Sequence, residues 1–147
     1  MKRTIFTSIL IVLGFVLITC STNHQTVVHQ RDLVWEDNFE GPVGQVPDSS
    51  KWTHDMGTGW GNQQKEFDTD KPANASLDGI GNLAIVALKE SYKDQGYTSA
   101  RLVTRGKMEL SYGKYEARIK LPIGAGIWPA FWLLGANINE VGWPQCG

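Results

Sequence analysis

Residues 112–147 read YGKYEARIKLPIGAGIWPAFWLLGANINEVGWPQCG, and the pattern in them sets the fold class. Taken at a period of two, Tyr115, Ala117, Ile119 and Leu121 fall on one side, with Lys114, Glu116, Arg118 and Lys120 on the other. This alternation predicts a strand with one face on a core and one in water. Pro122, Gly124 and Gly126 break it. A second run, Ile127 to Leu134, follows at once, with Trp128, Ala130, Trp132 and Leu134 on a shared face. Two tryptophans side by side on a strand are core filler or a platform for something flat. The chain then turns through Asn137 and Asn139 and presents a further tryptophan in Gly142-Trp143-Pro144-Gln145-Cys146-Gly147.

The segments before it agree. Tyr97 to Arg105 alternates, with Arg101, Val103 and Arg105 on one side and Ala100, Leu102 and Thr104 on the other. Leu83 to Leu88 is six apolar residues in a row, which predicts a strand buried on both faces. Leu33 to Phe39 predicts a first strand that ends in the turn Glu40-Gly41-Pro42, and Trp35 and Trp52 are large apolar fillers suited to a core. Between these lies GTGWGNQQKEFDT, residues 57–69, a glycine-rich turn that presents Trp60, Asn62, Gln63 and Gln64. Amides suit sugar hydroxyls, because each offers donors and an acceptor without charge. A plain polar surface turn is the alternative. Asn74-Ala75-Ser76 is formally a glycosylation sequon.

With 147 residues, 16 glycines, 6 tryptophans and only short apolar runs, the chain is one domain at most and of all-β class. Its formal net charge is −1, and it has no basic stripe, which argues against a nucleic-acid partner. Lys2 and Arg3 precede Ile5 to Ile18, an apolar run without charge. The run is shorter than the roughly 20 residues that span a bilayer, so residues 1–20 are expected to be a signal peptide. It ends in Leu17-Ile18-Thr19-Cys20, which resembles a lipobox. Cys20 is therefore the expected lipidation point, and simple cleavage is the alternative. Residues 21–31 are polar and are expected to form a tether. The destination is a cell-surface or outer-membrane lipoprotein, otherwise a secreted protein. If Cys20 carries lipid it cannot pair with Cys146, which has no histidine or CxxC partner and reads as a small packing residue.

Residues 112–135 resemble the block "YG.(Y/F)EAR.K.P...G.WPAFW.LG" of the family-16 glycoside hydrolases, most of all their laminarinase branch, and Gly142-Trp143-Pro144 resembles the lead-in to that family's catalytic E-x-D-x-x-E strand. Further resemblances are "W.D.F.G" from Trp35, "GWGN" at residues 59–62 and "Y.S.R..T.GK" from Tyr97. The resemblance covers about residues 33–147 and implies a concanavalin-like jelly-roll β-sandwich, of which residues 32–147 would form about the N-terminal half. It implies an endo-β-1,3(4)-glucanase that cleaves with retention. A retaining enzyme needs two carboxyl groups about 5 Å apart. On a flat strand the first glutamate and the aspartate of E-x-D-x-x-E share a face and the second glutamate points away, so a β-bulge is expected to restore it.

None of the three acids lies within residues 1–147, so no catalytic residue is assigned and this stretch by itself is expected to be inactive. What it is expected to hold is the binding half. Asn62, Arg101, Arg105, Trp128, Trp132 and Trp143 are the expected substrate-binding residues, with Trp143 beside the scissile bond and Trp128 and Trp132 on the cleft floor. The partner is a β-glucan-like polysaccharide, joined by the membrane if Cys20 is lipidated. A monomer is expected, with no cofactor and no metal assigned, a structural calcium of the family included. Two other readings are a non-catalytic carbohydrate-binding sandwich and a surface lipoprotein without a ligand. Half a sandwich would leave sheet edges unpaired, and so would be prone to aggregate.

Overall fold

A computed structural model of the protein describes residues 31–147. The expected signal peptide, Cys20 and nearly all of the tether lie outside the described residues. Every strand and helix named below belongs to one compact unit, Trp35–Gly147.

Six short strands form three ladders. β1 (Thr53–His54) pairs antiparallel with β6 (Leu102–Val103), and β2 (Glu66–Asp68) pairs parallel with β5 (Tyr97–Ser99). β3 (Ala75–Leu77) and β4 (Leu83–Ile85) form an antiparallel hairpin. A single helical turn, α1 (Ile138–Val141), stands near the carboxyl end.

The ladders are joined by bonds outside the named strands. Leu88 and Thr98 exchange two backbone hydrogen bonds of 2.9 Å, which brings the segment after β4 to β5. Thr69 N–H donates to the Ser99 carbonyl at 2.9 Å, and Asp55 N–H donates to the Arg101 carbonyl at 2.8 Å. Residues 97–103 are thus the seam of the unit. They pair with β2 at one end and with β1 at the other.

Local chemistry explains the hairpin. The Asp78 carboxylate accepts from the Ile80 and Asn82 backbone N–H groups at 2.9 and 3.0 Å, and from the Asn82 amide at 2.7 Å. Gly79 and Gly81 take φ of 83° and 82° inside that turn, a region closed to most side chains. The interior is small and largely polar. Ala75 and Leu77 are buried, but so are Asp68, Thr69, Asn74 and Thr98. Asn74 is 0% exposed and knits three segments together. Its amide donates to the Val86 carbonyl and to Thr98 Oγ1, both at 3.0 Å, and accepts from Thr69 Oγ1 at 2.6 Å. The sequon at Asn74 is therefore closed to modification in the folded chain. Trp35, Phe39 and Trp52 form a separate aromatic cluster, with ring centroids 5.6 and 6.0 Å apart. Trp52 also donates its indole N–H to Asp37 at 2.7 Å.

Three expectations need correction. Residues 33–39 form no strand, although Trp35 and Phe39 pack on Trp52. The run Leu83–Leu88 is strand only as far as Ile85, and it is not buried on both faces, since Ile85 is 53% exposed. The runs 114–121 and 127–134 carry no ladder, and Ile119, Leu121 and Trp128 are exposed. The physical reason is common to all three. An alternating or apolar run becomes a strand only when another segment accepts its backbone hydrogen bonds and covers its apolar face. Among the described residues, none does so for residues 112–134. A side chain ties the run to the β3–β4 turn instead, with Arg118 Nη2 donating to Asn82 Oδ1 at 2.8 Å.

Candidate functional site

The seam places Arg101 beside the glycine-rich loop. Gly57 and Asp68 close the base of that loop with two backbone hydrogen bonds of 3.1 and 2.7 Å. Thr58 Oγ1 donates to the Glu66 carbonyl at 2.8 Å. Asn62 and Gln63 turn the loop tip at φ of 54° and 58°, a left-handed conformation that asparagine tolerates better than most residues. The Trp60 ring folds back over Gly57, where a β-carbon would stand 3.0 Å from it. Its indole N–H donates to Asp68 Oδ2 at 3.1 Å, and the Gln64 amide donates to the same oxygen at 3.2 Å.

Arg101 lies against two tryptophans. Its guanidinium carbon is 4.6 Å from the Trp60 ring centroid and 4.7 Å from that of Trp132. Both distances lie within the range of cation–π attraction, and partial desolvation strengthens it. Asp55, at the end of β1, supplies the counter-charge. Its Oδ2 is 3.2 Å from Arg101 Nε and 3.7 Å from Arg105 Nη2. The Arg101 Nε–H is buried and not aimed at that oxygen, so the contact is a charge pair rather than an aligned hydrogen bond. Burial pushes the Asp68 carboxyl above the usual carboxylate range, and the negative charge of Glu66 adds to this. The hydrogen bonds from Trp60 and Gln64 and the charge of Arg101 oppose it.

The result is a surface of two indoles, two guanidiniums and the Asp55 carboxylate, over the buried Asp68, with Trp60 45% and Trp132 42% exposed. Such a surface stacks on the C–H face of a pyranose and offers directional polar contacts at its rim. Of the six expected binding residues it brings together Arg101, Arg105 and Trp132. Asn62 sits at the exposed tip of the adjacent loop. Trp128 and Trp143 are 75% and 74% exposed, and neither stacks on a ring or a cation among the described residues. Cys146 is buried, next to Gly135, where any side chain would strike the Cys146 carbonyl.

Sequence reasoning assigned no role to Asp55 or Asp68 and kept Trp60 only as part of a polar loop. Two arginines that alternation puts on one side of the chain, Arg101 and Arg105, call for a nearby carboxylate. The pairing of β1 with β6 decides which one it is. Among the described residues, no three side chains of the kinds that hold metal ions converge.

Residues 50–147 match the family described as glycosyl hydrolases family 16. The chain is 40% identical over 153 aligned positions to a β-glucanase of Rhodothermus marinus, an alignment covering 100% of this chain and 51% of that protein. It is 39% identical to a glucan endo-1,3-β-glucosidase of Cryptopygus antarcticus, over 78% of this chain and 43% of that one. The laminarinase catalytic domain of Thermotoga maritima superposes with a TM-score of 0.70 at 46% identity, over 78% of this chain and 48% of that structure. The chain spans about half the length of the curated relatives it matches. On this likeness, in sequence and in fold, the chain belongs to glycosyl hydrolases family 16 and to its all-β jelly-roll sandwich class.

Proposed function

We propose that this chain supplies glycan-binding surface to an exported endo-β-1,3(4)-glucanase that cleaves its substrate with retention. One observation carries the reading. The Arg101 guanidinium lies against both the Trp60 and the Trp132 ring and is charge-paired to Asp55, with nearly half of each tryptophan open to solvent. Stacking a pyranose on the exposed part of Trp132 contributes on the order of 1–3 kcal/mol. Arg105, held by Asp55 only at 3.7 Å, has donors free for ring or hydroxyl oxygens. Asn62, Trp128 and Trp143 extend the surface in this reading, with Trp143 nearest the scissile bond. The β-glucan substrate is suggested by the names of the relatives.

Residues 1–147 contain no E-x-D-x-x-E, so binding rather than bond cleavage is what this stretch contributes. The same observation keeps a non-catalytic glucan-binding sandwich as the second reading. Two measurements separate them. The protein is titrated with laminari-oligosaccharides, and the gene sequence downstream of Gly147 is read. Micromolar to millimolar binding followed by an encoded E-x-D-x-x-E supports the hydrolase. Binding without those acids supports the second reading, and no binding refutes both. Export with lipid on Cys20 belongs to the same proposal, and its test is incorporation of labelled palmitate that is lost in Cys20→Ala.

A further inference from the structure

Asp68 is a carboxylate with 4% of its surface exposed, beneath the binding surface and outside it. Its backbone already closes the loop base against Gly57, so the ladder does not need the side chain. The carboxylate spends its hydrogen-bonding capacity on two loop side chains, the Trp60 indole at 3.1 Å and the Gln64 amide at 3.2 Å. Burying a carboxylate is costly unless the groups it meets replace the lost water. Here those groups fix a ring. Gly57 backs the Trp60 indole, Asp68 holds its N–H, and Arg101 covers it at 4.6 Å before meeting Trp132 at 4.7 Å.

We propose that Asp68 is a positioning residue: by holding the Trp60 indole N–H it sets the ring that, across the Arg101 guanidinium, faces Trp132, and so sets glycan affinity without touching glycan. The proposal rests on the glucan-binding reading above. A carboxylate that only stabilised the loop would change melting temperature and leave affinity alone. One that acts through Trp60 must be coupled to it.

The test is a double-mutant cycle in the full gene product, with whatever residues it carries beyond Gly147. Affinity for laminarihexaose is measured by calorimetry, and the Trp60 indole N–H is followed by NMR, assigned with Trp60→Phe. Asp68→Ala and Trp60→Phe are each expected to weaken binding about tenfold, with the double variant no worse than either alone. Asp68→Asn keeps an oxygen facing the indole and is expected to restore affinity to within about twofold of the parent. Additive losses, or unchanged affinity in Asp68→Ala, would overturn the proposal. If Asp68→Ala fails to fold, the parent decides. Its Trp60 indole N–H must exchange with water more slowly than that of exposed Trp128, and equal rates refute the contact. A parent that binds no glucan but shows the protected indole sinks the glucan reading alone.

Discussion

Replacing Asn74 by alanine tests the polar interior directly. The side chain is wholly buried and makes three hydrogen bonds, to the Val86 carbonyl, Thr98 Oγ1 and Thr69 Oγ1. The three partners do not suffer equally when it goes. Thr98 Oγ1 still donates to Glu90 at 2.6 Å, so it loses one incoming donor and keeps its own acceptor. Thr69 Oγ1 still accepts from the Lys71 N–H at 3.2 Å but has nowhere to send its own proton. The Val86 carbonyl loses the amide outright. Two groups are thus orphaned at about 1–3 kcal/mol each, so Asn74→Ala is expected to lose about 2–4 kcal/mol, part of it returned where water enters the gap.

Against a typical domain stability of about 5–15 kcal/mol that loss is large. Asn74→Asp should be worse at neutral pH, because a carboxylate accepts only and would face the Val86 carbonyl in a buried site. The assay is urea unfolding followed by circular dichroism, comparing midpoints at constant slope. A loss below about 0.5 kcal/mol for Asn74→Ala, or a more stable Asn74→Asp, would show that this network does not hold the three segments together.

Other consequences are open to measurement. Asp55→Ala frees both guanidiniums and should weaken laminari-oligosaccharide binding by about 1 kcal/mol, whereas Arg105→Gln, whose half-exposed pair is 3.7 Å long, should change stability by less than about 0.5 kcal/mol in a thermal melt. The raised Asp68 carboxyl contributes stability that is fully present below its ordinary value of 3.8 and is lost as pH rises through its folded value. Asp68→Asn should remove that component from a stability–pH profile. Glu90 acts in the opposite sense, because the hydrogen bonds from Thr98 and Lys71 hold it below 4.5, and its contribution is present above that value and disappears as the solution is acidified through its folded value. A Glu90→Gln profile should lack this acid-side loss. Finally, the exposed apolar run 119–133 should bind a hydrophobic dye and promote association of residues 31–147, and Leu121→Lys with Ile123→Lys should reduce both in dye titration and size-exclusion chromatography. A dye-silent parent monomer would contradict this.

Much of the site was legible without coordinates, and the gaps have physical causes. Parity put Arg101 and Arg105 on one side and Trp132 in an aromatic run, and the family resemblance is what marked all three as binding residues. Asp55 was not found, because a carboxylate two residues before a glycine carries no mark of its partners. It becomes the counter-charge only when β1 lies against β6. Asp68 was hidden by its neighbours, since in an acidic, polar stretch nothing distinguishes the one carboxylate that turns inward. The strand expectations at 33–39, 83–88 and 112–134 failed where they did because periodicity describes a willing edge and says nothing about a partner.

By itself the sequence determined the all-β class, the family, and the loop that presents amides and a tryptophan. These arise from short-range pattern, which is fixed by residue order. Only the tertiary structure decided that Trp60 and Trp132 meet on the Arg101 guanidinium, that Asp55 and Asp68 serve it, and that a formal sequon asparagine is a buried brace. Those outcomes depend on which distant segments exchange hydrogen bonds, and pairing between segments about 30 to 50 positions apart has no local signature.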